Sequence, residues 1–148
     1  KITPAVTLSD ITKTVAFDSE VRGFEDGYET IIGERGINLS GGQKQRIQLA
    51  RILLRNFDIL LFDDSFSSVD ADTETEILKN LVPMLKGKTV IYCSNRISTL
   101  LHCDEILVIM ENKIAERGKH SELIEKNGYY SNIYQMQKLI KDIDQYGS

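Results

Sequence analysis

The sequence INLSGGQKQR, residues Ile37–Arg46, is a turn with two adjacent glycines that opens directly into an amphipathic helix. Ser40 is a good N-cap, because its hydroxyl can accept a hydrogen bond from an N–H group of the first helical turn. Gly41 and Gly42 carry no Cβ, so a ligand can approach the backbone closely. The positive end of the helix dipole favours an anion there. The stretch predicts a phosphate-binding helix N-terminus, with an ordinary serine-capped helix as the alternative.

Length and composition set the frame for this motif. The 148 residues suit one domain or part of one, and the net charge of −4 argues against nucleic acid as a main partner. Cys93 and Cys103 are too few for a disulfide framework, which favours a reducing compartment. The apolar runs are far shorter than the ~20 residues that span a bilayer, and residues 1–10 lack the apolar segment of a signal peptide.

Hydrophobic patterning predicts helices that alternate with strands, and hence an α/β fold with a mainly parallel sheet flanked by helices. The continuous apolar runs Ile59–Phe62 and Thr89–Cys93 predict adjacent parallel strands, each buried on both faces. Two more strands are predicted at 105–110 and 113–116, joined by a turn at 111–112. Apolar spacing and end signals predict a first helix that is capped by Thr7 or Ser9 and runs to residue 17. Further helices are predicted at about 40–56, 73–82, 96–102, 120–126 and 129–143.

Particular residues are expected to bound or bury these helices. Pro83 should end or kink the third helix, and Gly128 should close the fifth. The core stripe of the helix after Ser40 is predicted to be Ile47, Ala50, Leu54 and Phe57. The core stripe of the last helix is predicted to be Tyr129, Ile133, Met136, Ile140 and Ile143.

Two adjacent carboxylates follow the first predicted strand. Ligands of open α/β sheets bind outside the carboxyl ends of the strands, where Asp63 and Asp64 lie. An aspartate that closes a buried strand is costly to desolvate without a cation nearby. Magnesium, held together with phosphate oxygens and water, is the natural cation. Paired aspartates also cap helices and turns, so a structural role stays open.

These motifs, in this order, resemble those of the ATP-binding cassette (ABC) ATPases. Leu39–Gln43 resembles the signature motif, Ile59–Asp63 the Walker B strand, and Ser67–Asp70 the D-loop. Thr89–Thr99 resembles the switch strand with its following helix, and Gly118–Leu123 a late helix start of the family. The resemblance implies a partial P-loop NTPase-like fold. It divides the chain into part of the helical signature subdomain (about 1–57), an α/β core (about 58–128) and a C-terminal helix (129–148).

The segment before the signature narrows the resemblance. Gly27–Gly36 is similar to the X-loop of ABC exporters, which contacts the cytoplasmic coupling helices of the membrane domain. A charged solvent loop is the alternative. The resemblance thus implies a transmembrane partner, a location on the cytoplasmic face of a membrane, and ATP and Mg²⁺ as ligands. The residues it assigns are Asp63 for the metal, Asp64 and Asn95 for catalysis, and Leu39, Ser40, Gly41, Gly42, Gln43 and Asp70 for the nucleotide.

Three departures from the family pattern matter. No Gly-x-x-x-x-Gly-Lys-Ser/Thr P-loop occurs, so the chain is expected to be the C-terminal part of a nucleotide-binding domain that binds ATP poorly by itself. Asp64 stands where the family has a glutamate, so the carboxylate is kept on a side chain that is one methylene shorter. A misplacement of a catalytic group by about 1 Å can cost ~10²-fold in rate. Asn95 stands where the family has a histidine; it can donate a hydrogen bond but cannot shuttle a proton.

Together these features predict the ATPase part of an exporter whose own site is degenerate. The predicted partner is a second, non-identical nucleotide-binding domain that supplies the competent site. Ser40→Arg is therefore expected to damage ATPase activity more than Asp64→Asn. The alternatives are a nucleotide-gated regulatory module with little hydrolysis and a soluble ABC-type ATPase of DNA maintenance.

Overall fold

The computed structural model describes residues 7–33, 36–55 and 57–146, with the side chains of 144–146 left aside. The chain forms two compact units, Lys1–Cys93 and Ser94–Ser148. The α/β class is confirmed: each unit combines helices with one pair of strands. The three-part division inferred from the sequence stays a prediction.

The first unit begins with two short helices, α1 (Leu8–Thr14) and α2 (Asp18–Gly23), where one helix to residue 17 was predicted. Thr7 caps α1 through a reciprocal capping box with Asp10. The two helices are separated because Ala16 takes a left-handed conformation with φ of 52°. A single turn of 3₁₀ helix follows at Gly27–Glu29.

Two longer helices complete the first unit, α3 (Gly41–Leu53) and α4 (Ala71–Met84). In the predicted stripe of α3, Ala50 is buried, but Leu54 and Phe57 are exposed, because the helix ends at Leu53 and later residues leave its face. Pro83 was predicted to end or kink its helix, and the helix extends one residue past it, to Met84. Proline has no N–H to donate to the carbonyl four residues earlier, so the helix lacks one backbone bond close to its end.

The strands of the first unit are β1 (Ile59–Asp63) and β2 (Thr89–Cys93), which pair in parallel as predicted, with Leu61 opposite Ile91. The prediction that both faces would be buried was wrong. Leu60 and Phe62 point into a core shared with the helices, whereas Ile59 and Leu61 are 70% and 62% exposed. Continuous apolar runs do not reveal which face is covered, and the helices that share this core pack on one face of the pair.

The second unit contains three helices, α5 (Ile97–Leu100), α6 (His120–Glu125) and α7 (Tyr129–Tyr146). Between them lies an antiparallel hairpin of β3 (Ile106–Met110) and β4 (Lys113–Gly118). Its turn is the predicted pair Glu111 and Asn112, which both take positive φ, 48° and 59°. Two left-handed residues match the turn to the twist of the strands.

Helix α7 buries a different side from the predicted one. Its first turns join the core of Ile97, Ile106 and Leu123 through Tyr130, with Ile133 and Tyr134 packed against it. The other predicted stripe residues are exposed: Tyr129, Met136, Ile140 and Ile143. Residues 138–143 of α7 are all exposed, beyond the last contact of the helix with this unit at Gln137.

Gly128 was expected to close α6, but Asn127 takes the left-handed position there, with φ of 51°. Gly128 has a different reason to be glycine. A Cβ at this position would lie 2.5 Å from Oε1 of Glu116, the same oxygen that accepts a hydrogen bond from the Tyr129 N–H at 2.5 Å. Within the described ranges, no helix is long and apolar enough to cross a membrane.

Candidate functional site

The N-terminus of α3 is built as the sequence predicted. Ser40 is the N-cap: its hydroxyl accepts a hydrogen bond from the Gln43 N–H at 3.2 Å, and the Gln43 side-chain oxygen accepts from the Ser40 N–H at 2.8 Å. This reciprocal box uses two backbone donors. The N–H groups of Gly41 and Gly42 have no acceptor within the helix, because α-helical bonding begins further along. Backbone N–H groups of this kind, at a helix N-terminus, are the donors that anions use in proteins.

The two glycines also have a packing role that the sequence did not reveal. A Cβ on Gly42 would lie 2.6 Å from the carbonyl oxygen of Ser68, which is a backbone atom that cannot swing away. A Cβ on Gly41 would lie 3.2 Å from the Ser68 side chain. The start of α3 therefore packs directly on the segment that follows β1, residues 64–70, which we call turn 64–70.

Side chains of the first turns also hold α3 against α2. Gln43 donates from Nε2 to Glu20 at 2.5 Å, and Arg46 forms an ion pair with the same carboxylate at 2.6 Å. The Arg46 guanidinium also lies over the Phe17 ring, 5.1 Å from its centroid. Leu39 is buried, 8% exposed, so its side chain packs in the first unit. These contacts fix the direction of the helix N-terminus.

The two predicted carboxylates lie at the end of β1, and both residues are exposed. Asp63 pairs with Cys93, and the next backbone N–H, that of Asp64, donates to the Cys93 carbonyl at 2.9 Å. Asp64 has a positive φ of 46°. Few residues other than glycine adopt this conformation, and aspartate and asparagine adopt it more readily than most. The backbone at position 64 therefore suits the residue found there.

A cavity of about 120 Å³ adjoins these carboxylates. It is lined by Gln45, Gln48, Leu49, Ile52, Phe62, Asp63, Asp64 and Ser65. It is too small for a nucleotide, whose pockets begin at roughly 300 Å³, but it has room for water beside polar side chains. In the described part of the chain, no three metal-ligating side chains cluster together. Two carboxylates with space for water nonetheless fit Mg²⁺, which commonly takes one or two carboxylates and completes its shell with water and phosphate.

Asp70 has a structural task in the same turn. It is the N-cap of α4, and its Oδ1 accepts a hydrogen bond from the Thr73 N–H at 2.9 Å. This bond lowers the pKa of the Asp70 carboxyl below its ordinary value. A nucleotide contact of Asp70 stays a prediction, and it would have to act alongside this cap.

Asn95 belongs to the second unit, so its position relative to Asp64 stays a prediction. The residue is exposed, and its backbone carbonyl accepts a hydrogen bond from Gln137 Nε2 at 2.7 Å. The same Gln137 side chain accepts from the Ile97 N–H at 3.0 Å. Helix α7 thus holds the backbone around Asn95, a contact across 42 residues of sequence that no local pattern predicts.

The loop before the signature displays apolar side chains. Ile31 and Ile32 are 69% and 49% exposed, and Ile32 forms a parallel bridge with Ile37. The predicted loop residues Glu34 and Arg35 lie outside the described residues. The loop is held at its base by the Tyr28 hydroxyl, which donates to Asp18 at 3.0 Å.

Comparison with known proteins identifies the family. The model of the ABC transporter family matches residues 5–67. The chain is 44% identical over 147 residues to a multidrug resistance-like ATP-binding protein, MdlA, of Buchnera aphidicola, covering 99% of this chain and 24% of that protein. It is 44% identical over 117 residues to an ATP-dependent lipid A-core flippase of Haemophilus ducreyi, covering 79% of this chain and 20% of the flippase.

A solved structure agrees with these relatives. The structure of a bacterial Atm1-family ABC exporter with ATP bound is similar to this chain with a TM-score of 0.80 at 37% identity, covering 88% of this chain and 23% of that chain. The chain thus spans about a quarter of the length of the proteins it matches. It belongs to the ABC transporter family, has a P-loop NTPase-like fold, and is similar to part of the ATPase of ABC exporters.

Proposed function

We propose that this chain couples ATP binding and hydrolysis to transport, as part of an ABC exporter in which two ATP-binding domains meet head to tail. The observation that carries the proposal is the N-terminus of α3, where a neutral cap and two glycines leave backbone donors for an external anion. In this arrangement, Leu39–Gln43 closes over the γ-phosphate of an ATP held by the partner domain. Membership of the family supports nucleotide binding, and ATP with Mg²⁺ is the specific form proposed here.

The carboxylates at the end of β1 serve the other ATP, which this chain's own domain holds. Asp63 is the proposed ligand for Mg²⁺, which would neutralise phosphate charge when bound. Asp64 is the proposed group that orients the attacking water, and Asn95 the proposed hydrogen-bond donor to the γ-phosphate. Asp70 is proposed to approach the partner across the interface while it caps α4. These assignments rest on the match to the family's motifs and on the exposure of Asp63, Asp64, Asp70 and Asn95.

A non-identical partner follows from where the substitutions fall. Asp64 and Asn95 replace the glutamate and histidine of the family on the Walker B side, whereas the signature is intact. Both departures belong to one composite site, and the signature belongs to the opposite one. A partner with its own glutamate and histidine would complete one fast site, whereas two copies of this chain would have none.

The proposed membrane partner contacts the loop before the signature, on the cytoplasmic face. The support is the exposure of Ile31 and Ile32, two apolar side chains that a partner surface can cover. We propose no nucleic-acid partner, because the chain is acidic overall.

Steady-state ATPase rates of the full-length transporter, assembled with its partner, test this function. Ser40→Arg places a long side chain where the phosphate should approach, so it should remove most of the activity. Asp64→Asn keeps a residue that tolerates positive φ and alters only the slow site, so it should cost much less. If Asp64→Asn is the more damaging change, Asp64 is a working base and the asymmetric assignment is wrong.

A nucleotide-gated module with little hydrolysis is the second candidate. The observation that favours it is the loss of both family catalytic groups at positions 64 and 95. Tight ATP binding by the assembled protein together with very slow turnover would support this candidate, whereas rapid turnover would support the first.

A further inference from the structure

One side chain connects α3 to turn 64–70. Gln45 donates from Nε2 to the Ser67 hydroxyl at 2.8 Å, and its Oε1 accepts a hydrogen bond from the Ser68 N–H at 2.9 Å. A primary amide that both donates and accepts fixes its partner in orientation as well as in distance. These bonds join residues that are 22 and 23 positions apart in the sequence.

The turn that Gln45 holds is itself compact. The Ser67 N–H donates to the Asp64 carbonyl at 3.2 Å, and the Val69 N–H donates to the Phe66 carbonyl at 3.0 Å. Phe66 and Val69 are each 4% exposed and belong to the core of the first unit. A displacement of residues 67–68 is therefore transmitted to Asp64 through a short hydrogen-bonded turn.

Gln45 also lies beside the carboxylates, because it lines the cavity that Asp63 and Asp64 line. Three residues of α3 thus lie against Ser68. The amide of Gln45 bonds to its N–H, Gly42 lies close to its carbonyl oxygen, and Gly41 lies close to its side chain. The N-terminus of α3 and the end of β1 are held together as one body at this point.

From this geometry we infer that Gln45 is a positioning residue that sets the signature turn and the Asp64 carboxylate in a fixed mutual arrangement. The inference rests on the proposed function, in which these two groups serve different ATP molecules. Gln45 touches neither nucleotide in this assignment. It links the two sites within one chain, so that a shift at Asp64 on one ATP changes the pose of Ser40–Gly42 on the other.

Matched substitutions separate the hydrogen bonds from size and helix propensity. Gln45→Met keeps an unbranched side chain of similar length and good helix propensity but loses both bonds. Gln45→Glu keeps an acceptor for the Ser68 N–H, and the Ser67 hydroxyl can donate to the carboxylate, so both bonds are restored with one reversed. Gln135→Met makes the first change at an exposed position of α7 and is the control.

Two measurements on the full-length assembled protein test the inference. Hydrogen exchange in the peptide containing Ser68 should become faster in Gln45→Met, and exchange in Gln45→Glu should stay close to wild type. The kcat for ATP should fall about tenfold in Gln45→Met, within the ~10² that a misplacement of about 1 Å can cost, while KM changes little. Gln45→Glu should recover most of kcat, and Gln135→Met should match the wild type in both measurements.

The contrary results are distinct from one another. Unchanged exchange at Ser68 in Gln45→Met would show that the two bonds do not hold the turn. Faster exchange with an unchanged kcat would show that the bonds are structural only, which overturns the positioning role. A wild-type assembly with no ATPase activity would instead contradict the proposed function, and the positioning role with it.

Discussion

Helices α3 and α4 of the first unit both begin with a side-chain cap, but they differ in the negative charge that they carry at this end. At α3 the cap is the neutral Ser40, and no acidic residue stands in the first turn. At α4 the cap is Asp70, with Asp72 and Glu74 in the first turn. Carboxylates at a helix N-terminus stabilise it by about 0.3–1 kcal/mol through the dipole. Helix α4 therefore carries its own anions, whereas the first turn of α3 carries none.

The largest effect is expected from making α3 resemble α4. Ser40→Asp keeps a capping side chain, since serine and aspartate cap equally well, but puts a negative charge where a phosphate should bind. The ATPase rate of the assembled transporter should fall by about 10²-fold, the scale on which losing one donor to a developing anion acts. Thermal unfolding should show a stability no lower than that of the wild type, because the added carboxylate favours the helix N-terminus, and this separates the loss of activity from a folding defect. An unaltered ATPase rate would show that no anion binds at this helix end.

A smaller effect is expected from filling the space between α3 and turn 64–70. Gly42→Ala places a Cβ 2.6 Å from the Ser68 carbonyl oxygen, so α3 and the turn must separate. The cost of such overpacking is about 2 kcal/mol, which exceeds the gain of up to ~1 kcal/mol in helix propensity.

Gly41→Ala is the matched control for this comparison. Its Cβ would meet the Cβ and Oγ atoms of Ser68 at 3.2 Å, a milder overlap that a small shift of Ser68 relieves. In denaturant unfolding of the full-length protein, the free energy of unfolding of Gly42→Ala should be lower than that of the wild type. The value for Gly41→Ala should be close to that of the wild type. Equal stability of the two variants would contradict the packing described for residue 68.

The smallest effect concerns the acidic cap of α4. The hydrogen bond from Thr73 lowers the pKa of Asp70 in the folded state, so its stabilisation is present above the ordinary aspartate pKa near 4 and is lost as pH falls through that range. Asp70→Ser retains a cap without a titrating group. The unfolding temperature of the wild type should therefore fall more than that of Asp70→Ser between pH 6 and pH 3. Parallel curves would show that the cap does not lower the pKa of Asp70 in the folded protein.

The sequence predicted what depends on neighbours along the chain. The cap of α3 at Ser40 depends on a partner three positions along the chain, and the turn at Glu111 and Asn112 involves two adjacent residues, so local chemistry decides both. The Walker B and signature matches likewise depend on short motifs in order. For this reason the family and the N-cap at Ser40 were predicted correctly.

Features that depend on distant contacts could not be predicted from local patterns. The hydrogen bonds of Gln45 to Ser67 and Ser68 join residues more than twenty positions apart in the sequence. The hydrogen bond from Gln137 to the backbone carbonyl of Asn95 joins residues more than forty positions apart. The exposed faces of β1 and α7 were predicted as buried because an apolar pattern shows that a side can be covered without showing that a neighbour covers it.

The exposed face of β1 and β2 has a consequence for the solubility of this polypeptide. Ile59, Leu61 and Ile91 form an apolar surface on one side of a sheet of only two strands. Such a surface beside open strand edges invites self-association. Produced as these 148 residues alone, the chain should be hard to concentrate and should adsorb to hydrophobic chromatography media. Co-expression with whatever covers that face is the route to a tractable sample.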